Sequence, residues 1–317
     1  MPARSARLVA EPDRVFDTFE EIAKTNSFAT RRAAQRLLIQ APLGTVTFDA
    51  GKEDIALRFE TASPSELQLF TDLYAQRFEK AGLSEVLSWD AVAETVPLNQ
   101  FMCRVGAKTR LSPNFMRVRL SGEFGPFLRD DAGLHFRLLF GPEAGVWPTL
   151  DAGGLTQWPG GAGAWHRPPY TSRAIDPNGS WIDVDIVLHA GGRVTEWCLA
   201  VEEGSQIALN GPSGSKQPKA SWLGLFGDET ALPVIAQMVS RVPDGTAGQA
   251  MIVVRDPADV QEVATKSDIA LTWVTDGDME RALEALRVLT PPPEDRYVFF
   301  AGERQDAPAA RGVLKEL

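Results

Sequence analysis

From Ser221 onward, short apolar segments alternate with segments of helix length. The apolar segments are SWLGLF, QAMIVVR, IALTWV and RYVFFAG, and the segments that follow them are TALPVIAQMVSRV, PADVQEVATK, DMERALEALRVL and APAARGVLKEL. Strands and helices that alternate in this way predict a parallel sheet with helices packed on it, and such sheets bind ligands at the carboxyl ends of their strands. The residues at these ends are Gly227, Asp228, Glu229, Thr230, Gly302 and Glu303.

Residues 97 to about 216 show a different pattern, in which short β-rich segments recur between turn signals. The segments FMCRVGAKTRLS, NFMRVRLSG, LHFRLLFG, WIDVDIVLHA and SQIALNG indicate an antiparallel barrel or sandwich. A loop rich in Gly, Pro and Trp interrupts them, with the sequence GPEAGVWPTLDAGGLTQWPGGAGAWHRPP. A loop of this length inside a compact domain is more often functional or mobile than structural.

The first 95 or so residues predict a small α+β domain. Apolar residues recur at helical spacing in EPDRVFDTFEEIAKTNSF, and TVTFDAGKEDIALRF alternates on both sides of a turn, as a hairpin does. Ser63 and Glu66 form a capping box for a second helix. We interpret this domain as a packing or dimerisation module. The predicted fold is therefore multidomain α+β and α/β, with a small α+β domain at 1–95, an antiparallel β-barrel at 96–218 and a parallel-sheet α/β domain at 219–317.

The composition predicts a folded, soluble protein, with 44% hydrophobic and 23% charged residues in a chain of 317. No apolar stretch reaches the roughly 18 residues of a spanning helix, and the first residues lack a secretory signal, so we expect a cytoplasmic protein without membrane insertion. The net charge of −10 argues against a nucleic-acid partner, which requires a basic surface. Cys103 and Cys198 lie too far apart to suggest a disulfide framework or a thiolate metal site.

Several catalytic signatures are absent from the sequence. It contains no GxSxG, GxxxxGK[ST] or HExxH, which argues against the enzyme classes that these motifs mark. It contains no GxGxxG either, so the C-terminal sheet is not expected to be a standard dinucleotide-binding unit.

The segment WIDVDIVLHA has one polar face, since alternation along a strand places three polar residues on the same side: Asp183, Asp185 and His189. These three could form a metal site, but a strand with one solvated side gives the same alternation without a metal. Gly191 and Gly192 then form a tight turn, and Thr195 could cap the helix that follows. Free N–H groups at such a helix start bind anions, most often phosphate.

Cationic and aromatic side chains cluster in HRPPYTSRAID, residues 166–176. Arg167 and Arg173 could both reach a diphosphate, because a guanidinium group matches phosphate oxygens with two parallel hydrogen bonds. Tyr170 offers an aromatic face, and Thr171 offers a hydroxyl. This combination favours a flavin dinucleotide over a bare nucleotide. The alternative is a barrel strand with ordinary surface arginines.

Five segments, in the same order, resemble the siderophore-interacting proteins, a family of FAD-dependent ferric-siderophore reductases built on the ferredoxin-reductase plan. They are YTSR at 170–173, DIVLHAGGRVTEW, LNGPSG, GDETALP and AGE at 301–303, and they cover roughly residues 97 to 317. Residues 1 to about 95 resemble a small domain of unknown function that often precedes such reductases. The chain departs from the family at Pro168, where an arginine is usual, and in WVTDG, where many members carry a basic residue.

The resemblance implies that the barrel binds FAD and that the C-terminal domain binds NADH or NADPH. Tyr170 is then expected against the flavin ring, and Thr171 near the ring nitrogen that accepts hydride. Residues Gly192 to Thr195 would hold the diphosphate. The cofactor-binding residues implied in this way are Arg167, Tyr170, Thr171, Ser172, Arg173, Asp185, His189, Gly191, Gly192, Arg193, Val194, Thr195, Asp228, Glu229 and Thr230.

The substrate implied by the resemblance is a ferric siderophore, with iron as cargo and no resident metal. Electrons would pass from NADH or NADPH through FAD to ferric iron. Because ferric catecholates are anionic, a local basic surface is expected. The candidate substrate-binding residues are Arg255, Lys266, Gly302, Glu303, Arg304 and Arg311.

Three alternatives remain open from the sequence. The protein could be a reductase that exchanges electrons with a protein carrier such as a ferredoxin, a flavin reductase that releases its product, or a protein that binds siderophores without turnover. A diphosphate clamp argues against the second, because it implies tight retention of the flavin. The sequence distinguishes neither NADH from NADPH nor hydroxamate from catecholate siderophores, and it leaves the oligomeric state open.

Overall fold

A computed structural model describes residues 1–303 and 305–316 of the chain. The chain forms two units. The first contains Met1–Gln100, Leu139–Arg167 and Asn210–Pro212, and the second contains Phe101–Leu138, Pro168–Leu209 and Ser213–Leu317.

The first unit contains a six-stranded antiparallel sheet. Its elements in chain order are β1 (Ala3–Leu8), α1 (Pro12–Thr25), β2 (Ala29–Ala33), β3 (Arg36–Ala41), β4 (Gly44–Ala50), β5 (Ile55–Thr61), α2 (Pro64–Lys80) and β6 (Leu87–Trp89). The strands lie in the order β2-β3-β4-β5-β1-β6. The β4–β5 hairpin and both helices confirm the sequence prediction, which did not identify the other four strands.

Aromatic side chains form the core between the helices and the sheet of the first unit. The Phe19 ring lies 5.1 Å from the Phe48 ring and stacks 6.0 Å from the Tyr74 ring. The cap of α2 is built as the capping box predicts, since the Ser63 hydroxyl accepts a hydrogen bond from the Glu66 backbone N–H at 3.2 Å. Burial of these rings is the main source of stability for a domain of this size.

The long loop at 140–167 is held in the first unit by buried polar contacts. The Arg4 guanidinium donates to the Gly154 carbonyl at 2.5 Å. The Asp72 carboxylate accepts from the Thr156 backbone N–H at 3.0 Å and from its hydroxyl at 2.6 Å. Burial raises the pKa of Asp72. These bonds fix the centre of the loop, which forms two short paired strands, β10 (Thr149–Leu150) and β11 (Thr156–Gln157).

A closed six-stranded barrel lies in the second unit and confirms the predicted antiparallel barrel. Its strands are β7 (Gln100–Ser112), β8 (Phe115–Ser121), β9 (Gly133–Leu139), β12 (Pro169–Ile175), β13 (Trp181–Val187) and β14 (Gln206–Lys216). They follow one another around the barrel in the order β12-β13-β8-β7-β14-β9. A helix, α3 (Arg193–Ala200), follows β13.

A four-stranded parallel sheet forms the rest of the second unit, as the alternating segments predict. Its elements are β15 (Trp222–Asp228), α4 (Leu232–Arg241), β16 (Ala247–Val253), β17 (Asp268–Val274), α5 (Met279–Arg287), β18 (Arg296–Ala301) and α6 (Ala307–Glu316). The strand order β17-β16-β15-β18 reverses direction at β15, so the carboxyl ends of β15 and β18 border the crevice where such sheets bind ligands. Across the described ranges, no helix has both the length and the apolar character needed to span a bilayer.

The segment after β16 corrects the sequence prediction of a helix over PADVQEVATK. Only a short 3₁₀ turn forms there, at Pro257–Asp259. The buried Asp259 carboxylate instead accepts hydrogen bonds from the Ser112 hydroxyl and from the Asn114 amide, the latter at 2.8 Å. Arg173 donates to the carbonyl of Glu262 at 2.6 Å. Contacts with the barrel therefore override local helix propensity, and we call residues 257–263 the strap.

Replacing Asp259 with Ala is expected to lower the free energy of unfolding by about 2 kcal/mol, because it leaves the donors of buried Ser112 and half-buried Asn114 without their acceptor. Urea unfolding would measure the change. Asp244→Ala, at an exposed aspartate, is the control and should alter this free energy by no more than about 0.5 kcal/mol. Equal effects of the two substitutions would contradict the role given to the strap.

Both cysteines are buried free thiols in the second unit. Burial raises the pKa of Cys103 to about 12 and that of Cys198 to about 11. Neither thiol is therefore ionised to an appreciable extent at neutral pH.

Candidate functional site

A cavity of about 740 Å³ opens in the second unit between the barrel and the parallel sheet. Barrel residues on one wall include four that the sequence interpretation assigned to cofactor binding: Tyr170, Thr171, Asp185 and His189. The opposite wall lies at the carboxyl ends of the parallel strands and carries six more predicted residues: Asp228, Glu229, Thr230, Arg255, Gly302 and Glu303. The fold thus brings together ten of the predicted site residues, which come from five separate stretches of sequence.

The Tyr-Thr pair lies on β12, which pairs with β9. Tyr170 is opposite Phe136, and their rings are 6.5 Å apart. Burial raises the pKa of Tyr170, so its phenol stays protonated across the physiological range. Thr171 is opposite His135, whose Nδ1 lies 2.9 Å from the Thr171 hydroxyl oxygen. The sequence interpretation did not identify His135, although it placed the residue on a strand.

The carboxylates of β13 are engaged by arginines of β8. Arg117 donates to both oxygens of Asp185, at 2.7 and 2.8 Å, and Arg119 donates to both oxygens of Asp183, at 2.8 Å each. Ion pairs therefore explain the polar alternation on this strand. Two of the three residues proposed as metal ligands, Asp183 and Asp185, are instead bound by arginines. No cluster of three metal-ligating side chains occurs among the residues that the structure describes.

Arg173 lies next to the same buried carboxylate. Its Nε is 3.6 Å from an oxygen of Asp185, whose side chain is 0% exposed. This Nε is buried, and the described part of the chain offers it no hydrogen-bond acceptor within range. Burial lowers the pKa of Arg173, and Asp185 opposes that shift. A buried guanidinium nitrogen without an acceptor is a donor available to an anionic ligand.

The turn before α3 is built for close approach of the backbone. Gly191 has a φ of 71°, and a Cβ added to Gly192 would lie 2.4 Å from the His189 ring. The helix cap is Gly192, so the prediction that Thr195 is the cap is wrong. Thr195 lies in the first turn, and its hydroxyl accepts from the His189 backbone N–H at 3.1 Å. Helix geometry leaves the first N–H groups of α3 without intrahelical acceptors, which suits an anion.

The end of β15 forms a tight turn on the other wall. An Asp228 oxygen accepts from the Thr230 backbone N–H at 2.8 Å and from its hydroxyl at 2.6 Å. Glu229 pairs with Arg255 at 2.6 Å, and burial raises the pKa of the Glu229 carboxyl. Asp228 therefore shapes the turn, while the Glu229–Arg255 pair supplies opposite charges at the cavity.

Gly227→Ala is expected to destabilise the second unit by about 3 kcal/mol, because the new Cβ would overpack a site with no room for it. That atom would lie 2.5 Å from the Cβ of Ala231 and 2.7 Å from the carbonyl oxygen of Ala301. Chemical unfolding would measure the loss. Gly312→Ala, at a helix position with open space around it, is the matched control and should be neutral or slightly stabilising.

The other predicted residues are not among those that line the cavity, and they include Arg173 and the five residues from Gly191 to Thr195. Arg167 belongs to the first unit, where its guanidinium lies 4.5 Å from the centre of the Trp158 ring. Ser172 is bonded through its hydroxyl and its carbonyl to the Gln237 amide of α4. Lys266 and Arg311 are exposed. Arg304 lies outside the described residues.

The residues present fit FAD. Tyr170 and Thr171 supply an aromatic face and a hydroxyl at the cavity, as a flavin ring requires. The start of α3 and the Nε of Arg173 have N–H donors of the kind that a diphosphate accepts from, but they are not among the residues that line the cavity. A barrel with these features, joined to a parallel sheet whose strand ends face the same cavity, defines the class of flavin-dependent reductases on the ferredoxin-reductase plan.

Two family models match the chain and confirm the resemblance. Residues 104–216 match the siderophore-interacting FAD-binding domain, and residues 220–317 match the siderophore-interacting protein model. The chain belongs to the siderophore-interacting protein family. The first match also confirms the expectation of FAD as cofactor.

Curated relatives and a solved structure agree with this assignment. The chain is 28% identical over 222 residues to the ferric vibriobactin reductase ViuB of Vibrio cholerae. The alignment covers 66% of this chain and 80% of the relative. It is 28% identical over 206 residues to the NADPH-dependent ferric-chelate reductase of Escherichia coli, covering 61% and 78%. The crystal structure of a siderophore utilization protein from T. fusca is similar with a TM-score of 0.59 and 27% identity, covering 68% of this chain and 86% of that one.

Proposed function

We infer that the protein is an FAD-dependent ferric-siderophore reductase that uses NADH or NADPH. One observation carries this conclusion. The cavity of about 740 Å³ has Tyr170 and Thr171 on its barrel wall and the carboxyl ends of β15 and β18 on its other wall. A flavin ring on the first wall and a nicotinamide on the second would meet within a single space. The ferric reductase activities named for the relatives support the same conclusion.

The residues proposed to hold FAD lie on β12 and at the start of α3. Tyr170 would pack on the ring, Thr171 would meet the ring nitrogen, and the first turn of α3 with Arg173 would bind the diphosphate. When bound, FAD takes an electron pair from a nicotinamide as hydride and gives electrons singly to ferric iron. Asp185 has a positioning role here, since it pairs with Arg117 and lies beside Arg173.

The nicotinamide dinucleotide is proposed to bind at the ends of β15 and β18. The turn formed by Asp228 and Thr230 would present backbone to it, and Gly302 would leave room for it. Chemistry with a nicotinamide fits a cytoplasmic location, where this cofactor is available, and such a location is part of the proposal.

The ferric siderophore is proposed to bind at the same cavity. The basic surface expected for it is not found among the described lining residues, which include one arginine, Arg255, and four carboxylates, Asp185, Asp228, Glu229 and Glu303. Arg255 itself pairs with Glu229. Reduction lowers the charge of the iron and weakens its bonds to hard oxygen ligands, so the chelator releases it. The protein residues need only hold the chelate near the flavin and exclude competing reactions. Iron is thus substrate and product.

A visible spectrum of the purified protein, followed by anaerobic addition of NADH or NADPH and then of a ferric siderophore with a ferrous trap, tests the proposal. We expect flavin bands that bleach with the nicotinamide and return as trapped ferrous iron appears. If a reduced ferredoxin bleaches the flavin bands and neither nicotinamide does, the electron donor is a ferredoxin and the nicotinamide part of the proposal is wrong. Absence of flavin bands after FAD is supplied would overturn the proposal, and bleaching without ferrous iron would overturn its siderophore part.

A further inference from the structure

His135 forms a direct contact with the hydroxyl proposed to face the flavin. Its Nδ1 lies 2.9 Å from the Thr171 hydroxyl oxygen, and the two residues are register partners on β9 and β12. Both residues line the cavity. Thr171 is 6% exposed, so its hydroxyl has few partners other than the imidazole and a ligand in the cavity.

The position of the imidazole is fixed by a third strand. Gly214 on β14 has a φ of 75°, and a Cβ added there would lie 2.7 Å from the Cδ2 of His135. The neighbouring Ser213 hydroxyl donates to the His135 carbonyl at 3.3 Å. The glycine leaves room for the ring, so the contact with Thr171 is part of the barrel and does not depend on a mobile side chain.

This contact can exist in two hydrogen-bonding states. When Nδ1 carries a proton, it donates to the Thr171 oxygen, and the hydroxyl proton is free to be donated into the cavity. When Nδ1 is bare, the hydroxyl donates to it, and the Thr171 oxygen can accept from a group in the cavity. Burial and the nearby Arg137 lower the pKa of His135, which keeps the ring neutral and both states accessible at neutral pH.

We propose that His135 is a positioning residue that sets whether the Thr171 hydroxyl donates or accepts in the cavity, and that it takes up through this hydroxyl the proton left after electrons pass to ferric iron. The proposal rests on the proposed function. Oxidised flavin offers an acceptor at its hydride-accepting nitrogen, and reduced flavin offers an N–H there. The two states of the His135–Thr171 contact match these two requirements.

The reaction leaves a proton that the His135–Thr171 contact can take up. A hydride from the nicotinamide carries two electrons and one proton. Two ferric ions take one electron each and no proton, so one proton remains for every two ferrous ions released. As the N–H bond at the flavin nitrogen breaks, the Thr171 oxygen would accept this proton, its own O–H bond would break, and an N–H bond would form at His135 Nδ1. His135 can accept the proton when Nδ1 is bare, whereas a ring that already carries a proton on Nδ1 cannot.

Other charged groups face the same space and set the background of any titration. Arg137 lies on the same strand as His135 and opposes its protonation. The barrel contributes Asp185 and His189, and the sheet contributes Asp228, Glu229 and Glu303. The charges of Asp185 and Glu229 are paired with arginines.

Histidine NMR on the FAD-bound protein tests the proposal without relying on turnover. The chain has three histidines, so His135→Gln assigns the relevant signal by its loss. In wild type we expect the His135 ring to change tautomer, from Nδ1-protonated to Nε2-protonated, when dithionite reduces the flavin. Thr171→Val should abolish that change. A ring whose tautomer stays the same while the flavin is reduced would overturn the proposal and leave the proposed function intact.

The pH profile of flavin reoxidation by a ferric siderophore gives a second test. In wild type the rate should fall as the pH decreases below the ordinary histidine pKa of about 6.5, because burial and Arg137 lower the pKa of His135. His135→Gln should be slower by about 100-fold at neutral pH and should lose this dependence, with FAD still bound. His166→Gln, whose ring packs against Phe140 in the first unit, is the control and should keep the wild-type profile. An unchanged profile in FAD-bound His135→Gln would contradict the proposal, whereas a protein that binds no FAD would contradict the proposed function.

Discussion

Ferric reduction by a Thr171→Val variant is expected to be about 100-fold slower than by wild type, because one positioned hydrogen-bonding group at a reacting atom is worth about 100- to 1000-fold in rate. Valine has nearly the same shape as threonine but lacks the hydroxyl. It cannot contact the flavin nitrogen as a donor or acceptor, and it leaves His135 Nδ1 without its 2.9 Å partner. Stopped-flow measurement of flavin reduction by NADH and of reoxidation by ferric siderophore would separate the two half-reactions.

Thr171→Ser is the matched control, since it keeps the hydroxyl and removes only a methyl group. It should retain most of the wild-type rate in both half-reactions. Affinity for FAD, measured by fluorescence titration, should change little in either variant, because the proposed diphosphate contacts lie at α3 and Arg173. Equal rates for Thr171→Val and wild type would contradict the assignment of Thr171 to the flavin nitrogen.

An Asp185→Ala variant is expected to lose about 3 kcal/mol of unfolding free energy, near the lower end of the range for breaking a buried ion pair. Asp185 is 0% exposed and pairs with Arg117, while Arg173 lies beside it. The substitution leaves two guanidinium groups without their shared anion. The loss stays near the lower end because Arg117 is 29% exposed and keeps access to water.

The control for this experiment is Asp131→Ala. Asp131 also has a bidentate arginine partner, Arg129, but both side chains are 44% exposed. An exposed pair of this kind is worth no more than about 1 kcal/mol. Urea unfolding of both variants, with far-ultraviolet circular dichroism as the probe, would give the comparison. Similar losses of unfolding free energy in the two variants would contradict the prediction that burial makes the Asp185 ion pair more stabilising than the exposed pair.

Periodicity and turn chemistry allowed much of the fold to be predicted from the sequence. The β-rich segments between turn signals located five of the six barrel strands, all except β12, and the spacing of strands and helices after Ser221 predicted the parallel sheet. The Ser63 capping box predicted the start of α2 correctly. These features are local, so the residues that cause them lie within a few positions of one another.

The helix predicted after β16 and the ambiguity on β13 both concern places where distant residues decide the structure. The strap does not form a helix because Asp259 is bonded to Ser112 and Asn114, which are more than 140 residues away in the chain. The contact between His135 and Thr171 depends on the register of two strands separated by 36 residues. The register between two distant strands cannot be predicted from a local sequence pattern. The arginines that neutralise Asp183 and Asp185 lie on another strand, so alternation on β13 alone could not separate a metal site from a row of ion pairs.

The strap also has a consequence for how the cavity responds to its ligands. Asp259 and Glu262 connect the segment after β16 to the barrel, and Gln237 of α4 is bonded to Ser172 of β12. These bonds connect the two walls of the cavity, so we expect the walls to unfold together. A ligand that binds only the native cavity stabilises both walls by mass action. Occupancy by the cofactor would then protect barrel and sheet together against unfolding and proteolysis.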